Sequence, residues 1–257
     1  MINSKYMATA YVSAKEKTSG GVIYLYVEYA LRFVYLVPLL LLWRSLFSNG
    51  VEVGMTLAQM LSYTYLSILL DEMLNVSTPA TAWFVEGIII SLYQRPMSIF
   101  GHLAAQTVGG WLPKLLLFSL PMVIVSPLLG ISLIPQTIWF LPSLIMTVSL
   151  GFAIDFLFAC LMIRVRNATW LAHMIRMAII AIFSGSMIPF ALLPWGIGKV
   201  LQYLPFGSLA GAPLSLFTGI TDPQTIIPLQ IVWNAVLWPL AIWCFRRSSE
   251  RMVSYGG

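Results

Sequence analysis

Six windows of the chain, at approximately 22–47, 57–79, 101–129, 137–163, 170–193 and 226–245, each hold the roughly 20 apolar residues that a helix needs to cross a bilayer. Hydrocarbon offers no partner to a backbone amide, so segments of this kind satisfy their own hydrogen bonds and fold as helices. The rest of the composition leaves little room for another class. Only 9% of the 257 residues are charged and 59% are hydrophobic, whereas an ordinary soluble domain carries about 25% charge. The expectation is an all-α membrane protein with six transmembrane helices, in which residues 1–257 form a single membrane domain. Pro113, Pro121, Pro127 and Pro142 fall inside the third and fourth windows and predict bent spans rather than broken ones.

Orientation follows from lysine and arginine. With the N-terminus inside, cytoplasmic segments collect Lys5, Lys15, Lys17, Arg95, Arg164, Arg166, Arg246, Arg247 and Arg251, while the outside collects Arg44 and Lys199. Nine against two places both termini in the cytoplasm. The formal charge of +5 is then a consequence of topology, and without a basic stripe interleaved with aromatics nothing points to nucleic acid. Residues 1–20 have no continuous apolar run, so the first crossing is expected to act as its own insertion signal.

Three segments outside the spans have patterns of their own. Residues 1–20 put Tyr6, Met7, Ala10, Tyr11 and Ala14 on one side of a helix and Lys5, Thr9, Ser13, Glu16 and Lys17 on the other, as in a helix lying on the membrane surface. Residues 82–97 place Gly87, Ser91 and Arg95 at i, i+4 and i+8 with Glu86 and Gln94 beside them. Phe84, Val85, Ile88, Ile89 and Leu92 occupy the opposite side, and Pro96 ends the segment. Its polar face either meets a soluble partner, or the helix only covers lipid and neighbouring spans. Residues 194–225 hold apolar pieces at 195–204 and 209–217, too short to cross, which predict re-entrant helices or a loop on the outer headgroups.

Chemistry is sparse. The chain has no Gly-x-x-x-x-Gly-Lys-Ser/Thr phosphate loop, no Gly-x-Ser-x-Gly elbow and no His-Glu-x-x-His. Neither a catalytic residue nor a metal site is expected, and His102 and His173 are read as interfacial anchors. Cys160 and Cys244 imply no disulfide framework. Within the spans, Glu28 and Arg32 form an i,i+4 pair. Asp71, Glu72, Lys114, Asp155 and Arg176 lie nearer the inner face than the middle, where they can snorkel or pair. A structural ion network is the favoured interpretation over a proton relay or a substrate-charge site.

Trp43-Arg44-Ser45-Leu46-Phe47 followed by Leu57-Ala58-Gln59-Met60-Leu61-Ser62-Tyr63 resembles the first two spans of the ABC-2 type permeases, the membrane subunits of ATP-driven exporters. The likeness continues at Glu86-Gly87, Leu92-Tyr93-Gln94-Arg95-Pro96, Ser184-Gly185 with Ile188-Pro189, Leu204-Pro205-Phe206, Gln230-Ile231-Val232-Trp233 and Gly256-Gly257. It implies a type V exporter-like half-transporter with an N-terminal surface helix, a cytoplasmic coupling helix between spans two and three, and re-entrant helices before span six. On that resemblance Glu86, Gly87, Ser91, Leu92, Tyr93, Gln94, Arg95 and Pro96 would couple to an ATPase, with Arg164 and Arg166 as a minor contact. Pro189, Pro205 and Phe206 would belong to an extracytoplasmic gate. The implied partners are two ABC ATPase subunits, which would bind ATP and Mg that this chain does not hold, and a second permease, identical or paralogous, in the inner membrane. The cargo would be hydrophobic or amphipathic, such as a drug, peptide or lipid-like molecule. A polytopic membrane enzyme acting on a lipid, or a proton-coupled secondary transporter, are the alternatives.

Overall fold

The computed structural model describes residues 2–19, 22–50, 54–162 and 169–255, which form helices joined by turns and loops, with no strand among them. Arg164 and Arg166, and the terminal Gly256-Gly257, lie outside the described residues. The helices are α1 Ile2–Ser19, α2 Val22–Ser48, α3 Leu57–Leu69, α4 Asp71–Leu74, α5 Ala80–Val85, α6 Ile88–Leu92, α7 Ile99–Lys114, α8 Leu120–Val125, α9 Phe140–Met162, α10 Thr169–Phe183, α11 Ile197–Leu201, α12 Gly211–Thr218 and α13 Pro223–Tyr255.

Four stretches, Ile23–Ser48, Ile99–Leu129, Phe140–Met162 and Pro223–Ser248, are long and apolar enough to cross a membrane. The proline-bearing third window does continue: a π-helical turn at Leu115–Ser119 joins α7 to α8, and Pro121 sits in the first turn of α8, where its missing N–H is least needed. The second and fifth windows differ from expectation. They yield α3 of 13 residues and α10 of 15, about 20 and 22 Å at 1.5 Å per residue, short of a hydrocarbon core of roughly 30 Å. The chain turns at Leu70 before α4, and leaves α10 at Gly185 with φ +77.

The bundle is built around α9. In its apolar window 61% of residues are buried, against 17–22% in the other three long helices. α4, α5, α10, α12 and α13 all pack on it. α3 is buried from Met60 to Leu69 and starts with a reciprocal cap in which Thr56 Oγ1 accepts from Gln59 N–H and Gln59 Oε1 accepts from Thr56 N–H. Gln59 Nε2 donates to Thr218 O at 3.0 Å, fastening α3 to α12. The outer faces of α2, α8 and α13 carry exposed Ile23, Leu31, Val34, Ile124, Val236 and Trp243, the composition a helix presents to lipid.

α1 is helical as expected, and the face it turns to α7 mixes Tyr6 and Ala10 of the expected apolar side with Ser13 of the polar side. It packs along α7, with Ser13 Oγ donating to Gln106 O at 2.7 Å and Tyr6 Oη against Ser98 Oγ at 3.2 Å. Ser13, expected on the polar side, is buried, whereas Met7 and Tyr11 of the expected apolar side are 73% and 69% exposed. Gly109 makes this contact possible: a Cβ there would meet Ala10 O at 2.2 Å.

Candidate functional site

The segment 82–97 is two short helices rather than one. α5 ends at Glu86, Gly87 adopts a left-handed conformation with φ +72, and α6 follows for five residues before turning through Arg95 to Pro96. Glycine reaches that φ at no steric cost, and nothing lies within 4 Å of where its Cβ would be. The break rotates α6 relative to α5. Trp83, Phe84, Ile89 and Leu92 are buried, while Ile88, expected on the apolar side, is 39% exposed and Tyr93 is 55% exposed. Glu86, Ser91, Gln94, Arg95 and Pro96 are all exposed, and Ser91 Oγ is turned back to donate to Ile88 O.

What seats this segment is an aromatic cluster. Phe84 lies 5.8 Å from Phe156 of α9 and 5.9 Å from Phe245 of α13. Phe100 of α7 packs on Phe156 at 4.8 Å and on Phe245 at 5.5 Å. Four helices are thereby joined at one end of the bundle through rings in tilted and edge-on geometry, an arrangement worth about 0.5–1.5 kcal/mol per pair beyond the buried area. The N-terminal turns of α1 reach the same end, since Tyr6 meets Ser98.

Two polar clusters lie behind it. In the first, Arg32 Nη2 contacts Glu72 Oε1 at 2.6 Å, Glu28 Oε1 at 3.0 Å and Asp71 Oδ2 at 3.6 Å. Lys114 Nζ bridges Glu28 and Glu72, at 2.8 Å to each. Three carboxylates meet two cations. Asp71 is the loosest member, its carboxylate side chain 49% exposed. In the second cluster, Asp155 Oδ1 pairs with Arg176 Nη2 at 3.1 Å, both side chains nearly fully buried. Asp155 Oδ2 accepts from the Thr78 N–H at 3.0 Å and from the Thr78 hydroxyl, while Arg176 Nη2 also donates to Val76 O. Gly151 lets this loop approach α9, because a Cβ there would meet Val76 Cγ2 at 2.6 Å. The loop entering α5 is therefore clamped to α9 and α10 by one carboxylate.

At the opposite end, Tyr63 Oη donates to Gly185 O at 2.6 Å. A cavity of ≈ 330 Å³ is lined there by Tyr63, Pro189, Phe190, Lys199 and Ser215. Pro205 and Phe206 are half-buried and do not reach it, since Phe206 packs beside Phe183 with centroids 6.5 Å apart. The three residues grouped as a gate thus occupy two places. α12 is buried along most of its length between α3 and α9. Gln230, fully buried, secures the loop before it by donating to Ser208 O, Thr147 Oγ1 and Ser143 O.

Among the described residues no three His, Cys, Asp or Glu side chains gather to hold a metal, and His173 is exposed. No protein-family profile, no curated protein and no solved structure matches the chain. What the structure defines is a class, a helical protein whose described residues include four helices long and apolar enough to span a membrane. The aromatic cluster and the Thr78–Asp155–Arg176 clamp escaped sequence reasoning because their members come from distant elements. The signals in the sequence were an aspartate and an arginine in apolar windows, with Phe156 next to the aspartate.

Proposed function

We propose that this chain is the permease subunit of an ATP-driven exporter of the ABC-2 type, embedded six times in the inner membrane with both termini cytoplasmic. In this interpretation α3–α4 and α10 are the shorter second and fifth crossings, completed by their adjoining loops. α11 and α12 are the re-entrant elements on the outer side. Two such permeases, identical or paralogous, enclose a path for a hydrophobic or amphipathic cargo, and two separate ATPase subunits bind ATP and Mg.

The observation that carries this reading is the seat of α5–α6. Trp83, Phe84, Ile89 and Leu92 are buried against α7, α9 and α13, while Glu86, Gln94 and Arg95 are exposed and make no ion pair among the described residues. A soluble ATPase can shift the permease only through contacts that differ between its open and closed states. A polar edge rigidly backed by an aromatic cluster joining three long helices is suited to transmit such a difference. The clamp of Thr78 on Asp155 extends the connection to α10.

In a purified, reconstituted complex, Glu86→Ala and Arg95→Ala are expected to lower transport and transport-stimulated ATP hydrolysis together. A fall of about tenfold corresponds to a lost coupling energy near 1.4 kcal/mol. The amount of membrane-inserted chain should be unchanged. Transport at the unsubstituted rate in both variants would sink the coupling assignment.

A further inference from the structure

The ≈ 330 Å³ cavity beside Tyr63 has a lining divided by chemistry. Phe190, Ala212, Ile220 and Ile226 give it an apolar wall, whereas Lys199, Gln202 and Thr221 contribute polar side chains that can each donate a hydrogen bond. Lys199 is exposed and makes no ion pair among the described residues. Gln202 and Thr221 are half-buried, and neither side chain has a hydrogen-bond partner among the described residues. No aspartate or glutamate is among the described lining residues, so the charge of Lys199 is not offset there. Asp222, next in the chain to Thr221, is outside the lining and accepts the Gln224 N–H at 3.0 Å.

Such a lining selects a ligand by sign and by form. A cation would meet Lys199 with no carboxylate in the lining to offset the repulsion. A neutral apolar molecule would take water from Lys199, Gln202 and Thr221 without replacing the hydrogen bonds, which is unfavourable. An inorganic anion would leave the apolar wall unused. The volume is near the lower end of the roughly 300–1,000 Å³ of ligand cavities, which suits one short hydrocarbon body rather than the two acyl chains of a phospholipid. The wall is also formed in advance, because Tyr63 is fixed by its bond to Gly185 O and the Gly211 N–H donates to Ser184 O at 2.6 Å.

We propose that this cavity binds a singly charged amphipathic anion, a carboxylate on a short hydrocarbon body. Lys199 takes the carboxylate in a charge-assisted hydrogen bond, Gln202 and Thr221 donate to its remaining lone pairs, and the hydrocarbon lies along Phe190, Ile220 and Ile226. The inference deepens the exporter reading, on which it rests for calling the ligand a cargo, by giving the head of that cargo a sign. Binding itself needs no ATPase.

The test is photolabelling of the full chain in phosphatidylcholine nanodiscs with a diazirine analogue of octanoate, the crosslinks being mapped by peptide mass spectrometry. Labelling is expected on the cavity lining and should be competed by octanoate. Lys199→Gln should weaken that competition about fivefold, the upper range for an exposed ion pair, and Lys199→Arg should restore it. Gln202→Leu should weaken it about threefold. Ala191→Trp should block labelling by filling the space. Lys199 and Ala191 are both exposed lining residues, so these variants are expected to fold. Equal competition by octanol or octylammonium, competition by acetate at the same concentration, or indifference to Lys199→Gln overturns the proposal. Glu86→Ala, outside the cavity, should label normally although coupling is expected to fall. Labelling that obeys these expectations in a chain whose complex transports nothing would uphold the site and remove the exporter reading, whereas transport with no labelling of the lining would do the reverse.

Discussion

Asp155 shows how much one side chain can organise. Its two oxygens serve Arg176 on one side and Thr78 on the other, in surroundings where both charged groups are almost wholly removed from solvent. Such a pair adds little net stability compared with a well-packed apolar alternative, but breaking it leaves a charge uncompensated. Asp155→Asn strands Arg176 and is expected to cost about 3–5 kcal/mol. Thermal unfolding in detergent should show a much lower midpoint, and the double variant Asp155→Leu with Arg176→Met should recover most of it. A double variant no more stable than Asp155→Asn would mean that the clamp is held by something other than its charges. The sequence placed both residues in the inner half of their windows, and no spacing rule linked them across 21 positions and two helices.

At the scale of elements, a helix's address was harder to read than its existence. α1 forms where the pattern predicts a helix, yet the face it packs on α7 runs through Tyr6, Ala10 and Ser13 across both sides of that pattern, because Ser13 finds Gln106 O and glycine at 109 lets the Ala10 backbone close in. Gly109→Leu would drive side-chain atoms into Ala10 backbone, which has no rotamer to yield. Overpacking of this kind costs about 1–3 kcal/mol, and its effect should concentrate on the α1 contact. Tryptic cleavage after Lys15 and Lys17 in reconstituted protein is expected to speed up about tenfold, with Met7→Ala, an exposed position, as the silent comparison. Unchanged cleavage would show that α1 is held elsewhere. The break at Gly87 gives the same lesson in α5–α6. The pattern drawn on one uninterrupted helix put Glu86, Ser91, Gln94 and Arg95 on the polar side, where they are exposed, and both Ile88 and Ile89 on the apolar side, but the positive φ at Gly87 resets the register so that Ile89 is buried and Ile88 is 39% exposed.

For the whole molecule, the arrangement has two distinct ends, one with α1, α5–α6 and the C-terminal half of α13, the other with α11, α12 and the cavity beside Tyr63. With Cys160 and Cys244 replaced by alanine, a membrane-impermeant maleimide added outside intact cells should label Trp195→Cys, a residue 92% exposed, and leave Ser91→Cys unlabelled until the membrane is opened. The reverse pattern would invert the proposed topology. Sequence alone determined that the chain is helical, that its long apolar stretches are of membrane-crossing length, and which charges sit among them, because the hydrophobic requirement of a span is local and additive along the chain. Tertiary structure decided that α9 is the centre, that two windows shorten into 13- and 15-residue helices, and that Phe84, Phe100, Phe156 and Phe245 meet. Those outcomes depend on which faces of separate helices fit together, and hydropathy treats all apolar faces as equal.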